Sequence, residues 1–272
     1  MRHSTLYACA DCRARYIDPS LDDASGAAIY ETPAALAGVN PYLHGYYSGL
    51  ERDADRSVTA RDYARSLMIL ARHAPGRRLL DVACGGGRFL EFARRSGWDV
   101  SGVDPSREAS KVVRERFSIQ VAVSRFLEHD AMGARYDAVT MWDFIEHPPR
   151  PAEYLAKARA LLARDGCLLV ATPAVDNLLH GTASALLRLT GGLFSGPARR
   201  LCTVEHATYF TESTLLRLLE RAGFGLVEKF RTESDLSRYA LPLGVRLVVG
   251  AFFLANRLVG RPNRVVAVAR AG

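Results

Sequence analysis

The sequence predicts an α/β fold, doubly wound, with a parallel sheet covered by helices on both faces. Three observations predict it. Between Leu79 and Pro173, short apolar runs alternate with amphipathic stretches, the pattern of strands buried on both faces. The first run, Leu79-Leu80-Asp81-Val82, passes through Ala83-Cys84 into Gly85-Gly86-Gly87 and opens a helix. A second run, Val100 to Val103, closes on an acid, Asp104. Right-handed crossovers place the loops after such strands on one edge of the sheet, where ligands bind.

In chain order, residues 1–41 read as an N-terminal extension of irregular pattern, with turn formers at Asp18-Pro19, Gly26 and Asn40-Pro41. Residues 42–75 are a helical segment whose helix runs from about Ser57 to Arg72, and Pro75-Gly76 breaks it. The main domain spans residues 76–272. Leu79 to Val82 is its first strand. Arg88 to Arg95 is a helix stopped by Gly97. Val100 to Val103 is a strand, Arg107 to Phe117 a helix, Ile119 to Val123 a strand, and Tyr136 to Trp142 another. Pro151 to Ala163 is a helix that begins on proline. Gly166 turns the chain into a strand from Cys167 to Ala171, which Pro173 stops.

Residues 174–210 break this rhythm. They are apolar, contain glycines, are helical from Ala183 to Leu189, and read as a helical insertion. Its stretch from Leu178 to Phe194 is a lid over a substrate pocket, with plain core packing as the alternative. Thr211 then caps a helix from Glu212 to Arg221, stopped by Gly223. Phe224 to Phe230 alternates like a strand, and Val265 to Ala269 is the last one. Between them, Leu241 to Leu258 covers the lid or lies on a membrane surface; the first is the favoured reading.

Composition narrows the function classes. The chain has 272 residues, 49% of them hydrophobic, enough for a substantial core. Its formal charge is +7, but lysine occurs only at Lys111, Lys157 and Lys229, and the rest of the cations are arginines in an alanine-rich chain. That pairing fits a compositional bias better than a polyanion partner, and no run of consecutive basic residues marks a nucleic-acid patch. Cys9, Cys12, Cys84, Cys167 and Cys202 are odd in number and scattered, which points to a reducing, cytoplasmic setting. The N-terminus shows no apolar run of signal-peptide length, and Leu241 to Gly260 is interrupted by Arg246, Asn256 and Arg257.

The glycine loop sets the ligand chemistry. Residues without a Cβ let the backbone approach a ligand closely, and the helix start offers unpaired N–H groups to an anion. Asp81 is a poor neighbour for a phosphate and a good one for a cation. A ligand with a carboxylate and a positive amine satisfies both ends of the loop, and S-adenosylmethionine is such a ligand. A nicotinamide oxidoreductase fits less well, because Leu90 stands where the dinucleotide fingerprint places its third glycine.

The ordered set then resembles a known family. Asp81-x-Ala-Cys-Gly-Gly-Gly, Asp104, Tyr136-Asp137-Ala138-Val139 leading to Asp143-Phe144-Ile145-Glu146-His147, and Glu205-His206 before Tyr209-Phe210-Thr211 are similar to class I S-adenosylmethionine-dependent methyltransferases. The nearest flavour is the ubiquinone-biosynthesis O-methyltransferase and small-molecule group. The resemblance implies a mostly parallel, seven-stranded Rossmann-like sheet in which Val265 to Ala269 is antiparallel. It implies that Asp81, Ala83, Gly85, Gly86 and Gly87 hold the methionine part of the cofactor. Asp104, with Pro105 beside it, would take the ribose hydroxyls. The loop Ser124-Arg125-Phe126 would cover the adenine, and Met141 and Trp142 would lie under the cofactor.

Two histidines, His147 and His206, are candidate bases for a hydroxyl acceptor. At helical spacing Asp143, Glu146 and His147 share one face, which reads either as a substrate base or divalent-cation site or as an internal hydrogen-bond network; no metal is assigned. Glu205-His206 is equally open between base and hinge. Cys9-Ala-Asp-Cys12 followed by Tyr16-Ile17-Asp18-Pro19 resembles the second half of a zinc ribbon. Only His3 stands near as a further ligand where about four are needed, so the motif reads as a remnant. Tyr46-Tyr47 matches a tyrosine pair in the same relatives.

The expected activity is methyl transfer from S-adenosylmethionine, leaving S-adenosylhomocysteine, to a small-molecule acceptor. Oxygen is the favoured site and the acceptor is apolar or lipid-like. The alternatives are an NAD(P)-binding oxidoreductase and a non-catalytic cofactor-binding protein. The sequence identifies neither the acceptor nor the oligomeric state.

Overall fold

A computed structural model describes residues 5–12, 14–18, 20–29, 35, 58–203, 205–236 and 241–272. The expectations for His3 and Tyr46-Tyr47 lie outside the described residues. The main sheet has seven strands: β3 (Arg78–Val82), β4 (Asp99–Asp104), β5 (Val121–Val123), β6 (Tyr136–Trp142), β7 (Leu162–Pro173), β9 (Phe224–Thr232) and β10 (Arg264–Ala271). Their spatial order is β5-β4-β3-β6-β7-β10-β9. The pairs β4–β5, β3–β4, β3–β6 and β6–β7 are parallel. Strand β10 is antiparallel to both its neighbours, the one reversed strand that the family pattern implies.

Side-chain alternation sorts the core into two layers. Leu80, Val82, Val139, Met141, Leu168 and Val170 point to one face. There they meet Leu155, Ala158 and Leu161 of α5 (Pro151–Leu161) and Leu215 and Leu219 of α8 (Glu212–Arg221). Their neighbours Leu79, Ala138, Leu169, Val266 and Val268 point to the other face. That layer is closed by α2 (Val58–His73), α3 (Arg88–Arg95) and α4 (Arg107–Phe117) through Leu70, Leu90 and Val113. Both faces are covered, so the central strands contain almost no solvent-facing position, as their apolar runs demanded.

Local signals end the elements where expected. Ser106 caps α4 by accepting from the Ala109 N–H, and Thr211 and Thr214 form a reciprocal cap on α8. Boundaries differ where propensity is overruled by pairing. Helix α5 stops at Leu161, and β7 begins at Leu162, earlier than its apolar run, because Tyr136 of β6 offers Leu162 a partner. Strand β5 keeps only Val121 to Val123.

The N-terminal extension is more ordered than its composition suggested. Strands β1 (Thr5–Ala8) and β2 (Arg15–Asp18) form a hairpin, with Tyr7 and Tyr16 stacked at 5.7 Å. The hairpin turn carries Cys9 and Cys12, and β2 pairs with β8 (Thr208–Tyr209) of the main domain. Ile17, Val175 and Tyr209 seal that junction. Backbone hydrogen bonding to an existing edge supplies what the sequence pattern lacked. Helix α1 (Asp23–Ile29) follows, with the Asp22 carboxylate accepting from the Ser25 N–H at 2.7 Å.

The insertion contains α6 (Leu178–Leu189) and α7 (Gly196–Leu201), and α9 (Leu243–Leu258) packs beside α6. The Leu178 N–H donates to the Asn256 side chain at 2.9 Å. No described helix is long and apolar enough to cross a membrane.

Candidate active site

The site forms where β3, β4 and β6 end. A cavity opens there, and Ala83, Gly85, Asp104 and Pro105 line one side. Ser124, Arg125 and Phe126 line the next, and Trp142, Asp143, Phe144, His147 and Tyr154 contribute further wall. The backbone is strained at two of these positions. Ala83 and Asp143 both take left-handed φ, +55° and +49°, directly after β3 and β6, where a side chain normally disfavours it.

The glycine loop is held by its neighbours. Ala83 N–H donates to the Val103 carbonyl at 2.8 Å, and Gly85 N–H to the Asp104 carboxylate at 2.8 Å. The other Asp104 oxygen accepts from the Ser106 N–H at 2.8 Å. Each oxygen thus spends one acceptor position on the backbone and keeps another. The glycines divide the work. Gly85 (φ +50°), which lines the cavity, has open space where a Cβ would stand; at Gly87 (φ +72°) a Cβ would come within 2.7 Å of Val113 on α4. Gly86 and Gly87 shape the turn and its packing and do not line the cavity.

Asp81 requires a correction. The sequence suggested that its carboxylate faces the ligand, but it is buried and accepts the Thr140 hydroxyl at 2.6 Å. Asp81 and Thr140 are register partners on β3 and β6, so their side chains share a face, while Val82, one residue on, lines the cavity. Burial, the largest influence, pushes the Asp81 carboxyl up to about 8; the Thr140 hydrogen bond opposes this and the Asp104 charge adds to it. Burial also raises Asp104, against its two backbone hydrogen bonds. Met141 is likewise fully buried and lies in the sheet core, off the cavity.

Asp143, Glu146 and His147 do not share a helical face, because residues 143–149 form bends and turns. Asp143 pairs with the buried Arg264 of β10 at 2.8 Å. Glu146 is buried and accepts from the Thr172 hydroxyl at 2.8 Å, and its second oxygen has no hydrogen-bond partner among the described residues. Burial raises its carboxyl, with the neighbouring His147 opposing. His147 alone of Glu146, His147 and His206 reaches the cavity wall. Its Nδ1 lies 2.7 Å from the Glu205 carbonyl. A carbonyl only accepts, so Nδ1 carries the proton and Nε2 is the basic nitrogen.

His206 sits edge-on to His147, ring centres 4.8 Å apart, and does not line the cavity. Burial drives its imidazole down to about 3, helped by the His147 charge. Among the described residues, Glu146, His147 and His206 bring possible ligand atoms within 4.8 Å of one another, so this cluster is where a cation could be held.

The sequence reading missed several wall residues. Asp22 and Gly26, at α1, line the cavity, although nothing in their sequence links them to the glycine loop. Phe144 and Tyr154 meet edge-on at 5.3 Å, and Phe126 and Tyr154 stack at 6.3 Å. Tyr63 and Phe89 pack on Trp142 at 4.8 and 5.1 Å. Arg264 could have been noticed as one of the two arginines, with Arg270, that flank the apolar run Val265 to Ala269. No described residue of 174–210 lines the cavity; the insertion's helix α6 lies beside α9. Cys9 and Cys12 line a separate cavity between the hairpin and α8, with Arg217 and Arg221 opposite. Backbone hydrogen bonds from Cys12 and Asp11 hold the Cys9 thiol below its ordinary value.

Comparison with known proteins agrees with this architecture. A family model described as a methyltransferase domain matches residues 53–229. The ubiquinone biosynthesis O-methyltransferase of Burkholderia pseudomallei is 31% identical over 163 residues, covering 57% of this chain and 68% of that protein. The enzyme of the same name from Ralstonia nicotianae is 30% identical over 170 residues, covering 60% and 67%. Among solved structures, magnesium protoporphyrin IX methyltransferase from Synechocystis PCC 6803 superposes with a TM-score of 0.59 at 15% identity, covering 92% of this chain and 100% of that one. The 1,6-didemethyltoxoflavin-N1-methyltransferase of Burkholderia thailandensis gives 0.55 at 20% identity, covering 99% of each. At these identities the structural likeness speaks for the fold. With the domain match across most of the chain and the curated relatives at 30–31% identity, the chain belongs to the class I S-adenosylmethionine-dependent methyltransferases.

Proposed function

We propose that this protein methylates a hydroxyl oxygen of an apolar, aromatic or lipid-like small molecule, with S-adenosylmethionine as donor. The observation that carries the reading is a single cavity that joins the glycine loop and Asp104 to His147 through an aromatic wall. The residues fit the cofactor. Gly85 leaves room for close backbone approach, and the two Asp104 oxygens, pinned by Gly85 and Ser106 N–H groups, suit a pair of vicinal hydroxyls. Arg125, Phe126 and Trp142 all line the cavity, and in this reading Arg125 and Phe126 cover the adenine. The sulfonium supplies an activated methyl carbon.

The chain's own contribution is alignment, exclusion of water and proton removal. Phe126, Phe144 and Tyr154 form the dry wall, and alignment of reactants is worth up to about 7–11 kcal/mol of barrier in favourable cases. His147, its tautomer fixed by the Glu205 carbonyl, takes the acceptor proton at Nε2. The O-methyltransferase names of the 30–31% identical relatives support oxygen as the site. The scattered, unpaired cysteines support a cytoplasmic setting.

His147→Ala is expected to bind the cofactor normally and to lose about 10²–10⁴-fold in kcat on a phenolic acceptor. Calorimetry and a methyl-transfer assay read the two quantities separately. Undiminished turnover removes His147 as base; failure of the wild-type chain to bind S-adenosylhomocysteine removes the whole reading.

A further inference from the structure

A second cavity, of about 440 Å³, lies between the N-terminal hairpin and α8, and none of its lining residues lines the cofactor cavity. Its size is within the range of small-molecule sites, about 300–1,000 Å³. Cys9 and Cys12 both line it. The turn that carries them is closed by the Cys9 N–H, which donates to the Ala14 carbonyl at 2.8 Å. The strands below hold the turn in register, with Ala8 opposite Arg15 and Tyr7 stacked on Tyr16. The hairpin is anchored in turn by the Ile17 N–H, which donates to the Ala207 carbonyl at 3.0 Å. The turn brings the two thiols together, and the Cys12 thiol hydrogen-bonds the Cys9 sulfur.

All five cysteines are unpaired, but this pair differs from the other three. Cys84 and Cys167 are buried, and burial raises both, and the half-buried Cys202, above the ordinary thiol value. Cys9 is lowered, first by the Cys12 backbone N–H and then by that of Asp11, against partial desolvation and the Asp11 charge. A thiol held closer to its thiolate is the more reactive one. A metal does not account for the pair. Zinc needs about four ligands, and among the described residues no third histidine, cysteine or carboxylate stands near enough to join these two. Arg217 and Arg221, one turn apart on α8 and exposed, line the same cavity, and neither has an ion-pair partner among the described residues. Asp18 is the one acid among the lining residues, so the wall is positive on balance. A dithiol beside two free guanidinium groups suits a sulfur compound that is also an anion.

We infer that Cys9 and Cys12 form a thiol–disulfide exchange site for an anionic low-molecular-weight disulfide of the glutathione class, whose carboxylates meet Arg217 and Arg221. The Cys9 thiolate attacks one sulfur of the small disulfide. A mixed disulfide with Cys9 forms, and the first small thiolate leaves and takes up a proton. The Cys12 thiolate then attacks the Cys9 sulfur, the second small thiolate leaves, and a Cys9–Cys12 disulfide remains. The protein dithiol loses two electrons and two protons, and the small disulfide gains them as two thiols. An excess of the small thiol runs the same steps backwards. Disulfides in reducing compartments are of this transient kind. The site stands apart from the methyl-transfer assignment, since the two cavities share no residue.

The test is exchange of the reduced full chain with glutathione disulfide, against the neutral hydroxyethyl disulfide. Samples are quenched in acid, alkylated after unfolding, and read by intact mass and peptide mapping. The wild type is expected to release two glutathiones per chain and to gain a Cys9–Cys12 disulfide, while Cys84, Cys167 and Cys202 take the alkylating label. Cys12→Ser is expected to stop with one glutathione on Cys9. Arg217→Gln/Arg221→Gln, at unchanged circular dichroism, is expected to slow exchange with glutathione disulfide about tenfold and to leave exchange with the neutral disulfide as it was. Arg114→Gln/Arg135→Gln, on other exposed surfaces, is expected to change neither rate, which separates this cavity from the effect of net charge. The inference is overturned if Cys202 is oxidised as fast as the pair, if Cys12→Ser accumulates no mixed disulfide, or if Arg217→Gln/Arg221→Gln exchanges with glutathione disulfide at the wild-type rate. It is equally overturned if the purified chain carries zinc that Cys9→Ser/Cys12→Ser removes.

Discussion

The Asp104 carboxylate accepts the Gly85 N–H at 2.8 Å, so the end of β4 holds the glycine loop of β3 in shape before any ligand arrives. The other oxygen accepts from Ser106 at 2.8 Å. Both of its backbone partners are donors, and this makes Asp104 sensitive to a minimal change. Asp104→Asn must set an amide NH₂ against one of those N–H groups. One lost or unsatisfied buried hydrogen bond costs about 1–3 kcal/mol, so cofactor affinity is expected to fall about ten- to a hundredfold. Calorimetric titration with S-adenosylhomocysteine measures it, and unchanged affinity removes Asp104 from the binding set.

Gly85 and Gly87 are expected to fail differently. Gly87→Ala drives a methyl to within 2.7 Å of Val113 at φ +72°, an overpacking that costs about 1–3 kcal/mol on top of the left-handed backbone penalty. Gly85→Ala meets no protein atom within 4 Å. Its stability cost is the left-handed penalty alone, about 1–2 kcal/mol, while the added methyl sits at a residue that lines the proposed cofactor cavity. Thermal melting should fall further for Gly87→Ala, and cofactor affinity further for Gly85→Ala. The reverse order in both readouts contradicts the division of roles.

Stability should decline toward both ends of the pH scale for separate reasons. The Asp81 carboxyl is raised from 3.8 to about 8 in the folded chain, so between those values the native state holds a proton that the unfolded state has lost. Stability therefore falls as pH rises through that window. His206 is lowered from 6.5 to about 3, so there the unfolded state binds the extra proton and stability falls as pH drops. Asp81→Asn should flatten the alkaline limb and His206→Gln the acid limb in melts across pH. Parallel curves for wild type and both variants would exclude these groups as the cause.

Arg264 and Asp143 bind β10 to the loop after β6 through a buried guanidinium. Arg264→Gln removes the buried guanidinium from the partly exposed Asp143, and losing a charged hydrogen-bonded pair of this kind costs about 1–3 kcal/mol. Chemical denaturation should show that loss, accompanied by a lower kcat, because Asp143 is part of the cavity wall. A variant with wild-type stability would show the pair to be incidental.

The sequence by itself determined the sheet, the glycine loop and the acid that closes β4. Each is a local matter: apolar runs such as Leu79 to Val82 can only be strands covered on both faces, Gly85 and Gly87 adopt a turn that other residues resist, and Ser106 and Thr211 cap the helix starts beside them. Only the tertiary structure decided what those pieces face. Register with Thr140 turned Asp81 into the sheet, the turn after β6 separated Asp143, Glu146 and His147, and α1 brought Asp22 and Gly26 to a cavity far along the chain. Hydrophobic period and backbone preference act between near neighbours and are written in order along the chain. Pairing across strands, burial and the sharing of a proton or a charge depend on distances that arise only once the chain has closed on itself.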